Sequence, residues 1–209
     1  MTEVCTNGVD TGFVALGYAK VALLGVVQGI TELLPISSTA HMRVVPALLG
    51  WQDPDSAFSA AMQLAALAAV VSYFWGDVSE LATNSLRAVA HRDFRNRHFR
   101  FSVWIVLATI PIGLTGLALS STLNACGSPL RTLAVIGWAS IVMAILLALA
   151  EIYARHKRTL ENVTLTDAMV VGIAQIGALI PGVSRSGSTF TAALSLGLKR
   201  EEAARFSFL

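Results

Sequence analysis

Two polar clusters interrupt an otherwise apolar chain of 209 residues, and both carry side chains suited to phosphate chemistry. The first gathers Gln28, Glu32, Ser37, Ser38, Thr39 and His41 around Pro35. Gln28 and Glu32 stand four apart, so on a helix they share a face. A carboxylate inside an apolar helix costs about 2.5–3.5 kcal/mol at the bilayer centre. Function accounts for such a residue better than the plainer alternative, a glutamate snorkelling to the interface. One of the hydroxyls after Pro35 is expected to cap the next helix, but three hydroxyls and His41 exceed what a cap needs. If a helix begins near Ser37, Ser38 and His41 fall three apart on one face. An imidazole beside a serine can take its proton and make it a nucleophile.

The second cluster is Pro181-Gly-Val-Ser184-Arg185-Ser186-Gly187-Ser188. Free backbone N–H groups at a helix N-terminus bind anions, and a guanidinium adds a permanently charged bidentate fork. Ser184, Arg185, Ser186 and Gly187 therefore form a candidate phosphate cradle, with Ser37 and Thr39 facing it from the first cluster. An arginine between two apolar stretches needs an anionic partner, which could equally be Glu32. Gln63 lies within an uncharged apolar stretch, where it either hydrogen-bonds across helices or joins the site.

The elements that must position these groups belong to a membrane protein. The chain is 55% hydrophobic and 13% charged, against about 25% charged in soluble domains. A spanning helix needs about 20 mainly apolar residues. Three segments fit: 56–75, 101–123 (with Pro111 inside, where a kink is expected) and 130–150. Residues 13–34 and 168–180 do not, because each stops at a proline followed by a polar run and a second short apolar piece. These are expected to be broken, re-entrant helix hairpins, which membrane proteins tolerate where protein or water covers the backbone.

Arg87, Arg92, Arg95, Arg97 and Arg100 fall in one connection, and Arg155, Lys157 and Arg158 in another. The positive-inside rule puts both in the cytoplasm, with the N-terminus and the loop holding Cys126 outside. That rule explains the arginine run, which lacks the aromatic interleaving of a nucleic-acid site, so no nucleic-acid partner is expected. Two cysteines, Cys5 and Cys126, are too few for a disulfide framework and lack metal-ligand spacing.

The broken segments resemble each other. Gly25-Val-Val-Gln28 precedes Pro35 by the same kind of interval that separates Gly172-Ile-Ala-Gln175 from Pro181. Three spans lie between the copies, so the second should enter from the opposite face, as in an inverted repeat whose two breaks meet near mid-membrane. The expectation is an all-α, polytopic helical membrane protein, one integral membrane domain over 1–209. Residues 13–153 would form the first repeat, a re-entrant hairpin plus three spans. Residues 166–209 would begin a second, truncated repeat, with about 60 further apolar residues plus loops to follow.

The stretch Gly25-Val-Val-Gln-Gly-Ile-Thr-Glu32-Leu-Leu-Pro35-Ile-Ser-Ser-Thr39-Ala-His41 resembles the first motif of the undecaprenyl-diphosphate phosphatase family, also called bacitracin-resistance proteins. Pro181-Gly-Val-Ser-Arg-Ser-Gly187 resembles the second, and Glu-Ala-Ala-Arg-Phe-Ser-Phe-Leu209 also resembles family text. The resemblance covers nearly the whole chain. It implies hydrolysis of the C55 isoprenoid diphosphate to the monophosphate carrier and phosphate, recycling the lipid for cell-wall synthesis. It further implies a bacterial inner-membrane location with the site toward the outer face, and a divalent cation, magnesium or calcium. The essential serine, histidine and arginine of the family fall on Ser38, His41 and Arg185. In the family's acid pair, Gln28 takes the first place and Glu32 the second, and these two would bind the metal or orient water. Either Ser38 or His41 could be the nucleophile. On architecture alone a transporter or a carrier-lipid flippase is the alternative. The partners implied are the polyprenyl diphosphate and the bilayer, with homo-oligomerisation open.

Overall fold

The computed structural model describes residues 16–51, 55–120, 130 and 132–209. Among these, helices dominate and no strand forms beyond one isolated bridge between Arg158 and Leu198. In chain order the helices are α1 Gly17–Leu33, α2 Ser38–Leu48, α3 Asp55–Tyr73, α4 Trp75–Ala90, α5 Arg97–Ala118, α6 Leu133–Tyr153, α7 Leu165–Ala174, α8 Arg185–Ser195 and α9 Arg200–Phe208. A 3-10 turn, Gln175–Leu179, extends α7. The N-terminal tail, the start of the first repeat at residues 13–15, and the loop around Cys126 lie outside the described residues.

α5 and α6 are long and apolar enough to cross a membrane, and α3 with α4 makes a third such unit, bent by 76° at Phe74. Only 6% of the apolar stretch of α5 is buried within the protein. Leu114, Leu117, Val142 and Ile145 stand more than half exposed. So much aliphatic surface needs lipid as its solvent. The protein is an all-α membrane protein.

Helix starts follow local capping rather than hydropathy, and this moves the expected boundaries. Asn96 Oδ1 accepts from the His98 and Phe99 amides, so α5 begins at Arg97 rather than at residue 101, and it continues through Pro111. Thr132 Oγ1 accepts from the Val135 amide and starts α6 three residues later than expected. The largest correction is α4. The arginine-bearing connection that begins at Gly76 was expected to be loop, yet Trp75–Ala90 is helical. Its apolar residues recur on one face, and Asp77 near its start and Arg87 near its end complement the helix dipole.

Both hairpins are broken where expected, between Leu33 and Ser38 and between Leu179 and Arg185. Each is closed at its open end. In the second, the Arg158 guanidinium donates to both carboxylate oxygens of Asp167 at 3.0 and 2.6 Å, near the start of α7. It also donates to the Leu196 carbonyl, just past α8, at 2.9 Å. The bonds to Asp167 hold the guanidinium pKa above its ordinary value, against the opposing pull of burial. The two ends of the α7–α8 hairpin thus sit at one level. In the first hairpin, Lys20 near the start of α1 lies 5.1 Å over the ring of Trp51, just past α2, and Leu16, Leu24, Met42 and Phe58 pack beneath.

The main core joins α5 to α9 through small residues: Ala108, Ala150, Ala168, Ala193 and Ala203, with Leu194 and Phe206. At Gly172 a Cβ would lie 2.2 Å from the Ala108 carbonyl oxygen, so α7 meets α5 backbone to backbone. Small residues allow such approach in helix pairs surrounded by lipid.

Arg158→Met should leave the buried Asp167 without its cation and destabilise the protein by about 3 kcal/mol. Thermal unfolding in detergent should show a clearly lower midpoint, and an unchanged midpoint would refute the closing role of Arg158.

Candidate active site

The two breaks meet. Ser37 ends the first break and caps α2, its Oγ accepting from the Ala40 amide at 3.2 Å. Ser184 does the same for α8, accepting from the Gly187 amide at 3.0 Å. Gly187 then lies against the first break. A Cβ there would stand 3.0 Å from the Pro35 carbonyl oxygen and 2.9 Å from Ser184 Cβ. Only a residue without a side chain lets the start of α8 approach Pro35 this closely. From the other side, Ser140 Oγ of α6 donates to the Gly182 carbonyl at 3.0 Å. Gly182 has φ +101°, and a Cβ there would meet the Ile136 carbonyl oxygen at 2.4 Å.

Glu32 sits at the junction. Its Oε2 accepts from Ser38 Oγ at 2.8 Å, from Gln28 Nε2 at 3.0 Å and from Gln63 Nε2 at 3.5 Å. Its Oε1 accepts from Arg185 Nη2 at 3.4 Å. Four donors from α1, α2, α3 and α8 therefore converge on one carboxylate, which is how a buried charge is kept satisfied. The Glu32 side chain is 17% exposed and that of Arg185 is 63% exposed. Among the described residues one of the five guanidinium N–H donors is used, and the exposed face offers the others to an incoming anion.

Several expectations change in detail. Ser38 donates to Glu32, where the sequence had pointed to His41. His41 Nδ1 lies 2.7 Å from the Ser37 carbonyl oxygen. A carbonyl only accepts, so Nδ1 is the donor in this contact, and in the neutral ring that makes Nε2 the acceptor. The Gly187 amide, expected to face a phosphate, is taken by the Ser184 cap. The N–H groups of Arg185 and Ser186, like that of Gly187, have no helical carbonyl to donate to, and neither of the first two meets the Ser184 cap. Ser186 Oγ lies 3.1 Å from Ser184 Oγ, and Thr39 is exposed on the first turn of α2. Gln63, equally placed between structural and site roles, bonds to both Ser38, at 3.4 Å, and Glu32.

A hydroxyl pair that sequence reasoning missed supports the second break. Ser207 of α9 donates to the Ser186 carbonyl at 3.0 Å and bonds to Thr189. No local spacing signals a contact between residues so far apart in the chain.

The Glu32 carboxylate and the Ser38 hydroxyl are oxygen ligands that suit a hard cation, whereas Gln28 and Gln63 turn Nε2 toward Glu32 and the fourth neighbour is a guanidinium. Among the described residues no three His, Cys, Asp or Glu side chains gather to cage an ion. A cation here would therefore have to share itself between Glu32 and its ligand.

Residues 21–209 match the family model described as bacitracin resistance protein BacA. The chain is 76% identical, over 87% of its length and 69% of the relative's, to undecaprenyl-diphosphatase 2 of Mesorhizobium japonicum. It is 55% identical to the undecaprenyl-diphosphatase of Gloeobacter violaceus over 93% of its length and 67% of the relative's. It is 48% identical to that of Trichormus variabilis over 97% of its length and 64% of the relative's. The chain thus spans about two thirds of the length of these curated relatives.

Gly187→Ala should push α8 from Pro35 and lower the unfolding midpoint by several degrees, since overpacking costs about 1–3 kcal/mol. Gly29→Ala, where nothing lies within 4 Å of the new Cβ, is the control and should not lower it. Equal midpoints for the two variants would show that the breaks do not touch.

Proposed function

The chain belongs to the bacitracin resistance protein BacA family, and we propose that it hydrolyses undecaprenyl diphosphate to undecaprenyl phosphate and inorganic phosphate at the junction of its two breaks. The observation that carries this reading is the shared carboxylate. Ser38 Oγ reaches Glu32 Oε2 at 2.8 Å while Arg185 reaches Oε1 at 3.4 Å. A hydroxyl and an anion-binding cation from opposite hairpins are thereby held on the two oxygens of one carboxylate. Family membership favours hydrolysis over the transporter and flippase alternatives.

Arg185 binds the terminal phosphate through its free N–H groups and stabilises the charge that develops on it. The Arg185 and Ser186 amides at the start of α8 add donors to the same oxygens. Ser38 Oγ attacks phosphorus and releases undecaprenyl phosphate, and Glu32 takes the hydroxyl proton because it already accepts that hydrogen bond. Gln63 holds Ser38 and Glu32 in register. Water then cleaves the phosphoserine, its proton passing to Nε2 of His41 while Glu32 returns the proton it took to the departing Ser38 Oγ. A second reading rests on that same nitrogen. With Nδ1–H tied to the Ser37 carbonyl, Nε2 is oriented as a nucleophile in its own right, and Ser38 would then be a hydrogen-bond donor.

A divalent cation, magnesium or calcium, would be held by Glu32 with an amide oxygen of Gln28 or Gln63 and by phosphate oxygens of the substrate. When bound, it would offset the repulsion between Glu32 and the diphosphate that Arg185 alone only partly cancels.

The location proposed is the bacterial inner membrane, with the site toward its outer face. The ion pair Arg97–Glu161, at 2.8 Å, joins the two basic connections, and Arg205–Asp77 ties α9 to the first of them, an arrangement on one side as the positive-inside rule expects of a cytoplasmic face. α3 carries the chain about 27 Å from the open end of the first hairpin to that side. The open end of the second hairpin, at Arg158 and Leu196, already lies there. This opposition supports an inverted repeat with two re-entrant hairpins.

Arg185→Ala should lower phosphate release from undecaprenyl diphosphate by about a hundredfold or more, by analogy with removal of one oxyanion donor. Arg185→Lys should remain poor, because an ammonium cannot fork. Near-normal release by Arg185→Ala would contradict the phosphate role. Trapping with radiolabelled substrate should give acid-stable phosphoserine that is lost in Ser38→Ala. Acid-labile phosphate on His41 would instead select the imidazole. Chelation should stop release, and magnesium or calcium should restore it, whereas full turnover in chelator would remove the cation from the scheme.

A further inference from the structure

Away from the candidate site, the surface between α4 and α5 joins an apolar groove to an unbalanced basic rim. α4 leaves α3 at 76°, so it runs across the direction of the spans. Tyr73 and Trp75 stand exposed at the bend, where amphipathic aromatic rings favour the level of lipid headgroups. Beyond the bend, Leu86 and Val89 of α4 face Val103 and Val106 of α5 across an open groove of about 260 Å³ that ends at Phe99. Leu86 is 71% exposed and Val106 63% exposed. The two hydroxyls in the groove, Ser85 and Ser102, bond to each other at 2.8 Å and leave the lining without an unmet polar group.

The exposed ring of Phe94 packs on Phe99 with centroids 5.5 Å apart, which brings the turn between α4 and α5 to the mouth of the groove. Arg87, Arg92 and Arg95 are exposed on that turn and its flank. Asp93 is the only acid from residue 87 to 100. Arg97 is engaged by Glu161, and Arg100 stacks over Trp104. The positive-inside rule asks for basic residues in a short loop, but it does not ask for an apolar groove beneath them.

We propose that this surface binds an anionic glycerophospholipid of the surrounding membrane. One acyl chain lies in the α4–α5 groove, and Arg92 and Arg95 hold the headgroup phosphate. The apolar groove, whose two hydroxyls satisfy each other, fits an acyl chain, and arginine suits a phosphate through bidentate donation. Each exposed arginine near an anionic surface contributes about a fivefold gain in affinity.

The test uses the full chain in detergent, exposed to phosphatidylglycerol or phosphatidylcholine vesicles, with retained lipid counted by native mass spectrometry. Phosphatidylglycerol should be retained preferentially. Arg92→Gln/Arg95→Gln should reduce that preference about 25-fold, the product of two such contributions, without altering oligomeric state. Val103→Phe, which fills the groove and leaves the arginines in place, should reduce retention of both lipids. Equal retention of the two lipids by the unaltered protein would overturn the proposal. So would a preference that survives loss of both arginines, or a groove variant that changes only the oligomeric state, since the groove would then belong to a second copy of the chain.

Discussion

A single carboxylate organises the junction on which the candidate chemistry rests. Glu32 stands on a helix whose other face is apolar, where an unpaired charge would be costly. It is tolerated because Gln28, Ser38, Gln63 and Arg185 all donate to it. Those donors lie on four helices, so the carboxylate can be satisfied only when both hairpins and α3 are in place. The same arrangement leaves the ends of the donors that face away from Glu32 open to a ligand. Stability of the junction and readiness for an anion therefore come from the same contacts.

Backbone contact makes that arrangement possible. Gly187 admits Pro35, Gly182 admits Ile136, and Gly172 admits Ala108. In each case the neighbour is a main-chain carbonyl that cannot swing away as a side chain could. Lipid supplies little hydrophobic drive between helices, so close packing of small residues and hydrogen bonds carries more of the association. Arg158 and the Lys20–Trp51 contact close the hairpins at their open ends. Each break is thus held from behind while its polar tip faces the other.

Much of this was legible in the residues. Pro35 and Pro181, each followed by a polar run, marked the breaks because proline ends a helix by local chemistry alone. Ser37 and Ser184 fell where caps belong. Other features were not legible, for identifiable reasons. α4 was hidden because Arg87 and the arginines that follow it suggested a loop, although its apolar residues recur at helical spacing. The starts of α5 and α6 were set by Asn96 and Thr132, which hydropathy does not register. Ser38 bonds to Glu32, where local spacing pointed only to His41. Glu32 reaches it only through the geometry of the break. Gln63 and Ser207 act across large sequence separations, which no local pattern encodes.

The central claim is that the guanidinium of α8 lies beside the carboxylate of α1 in the folded protein. Cysteine cross-linking in native membranes tests it most directly, with Cys5 and Cys126 replaced by serine. A short bifunctional maleimide should join Glu32→Cys to Arg185→Cys within one chain. It should fail to join Lys20→Cys to Arg185→Cys, since Lys20 lies about 18 Å back along α1. Absence of the first cross-link, or equal yields for both pairs, would contradict the account.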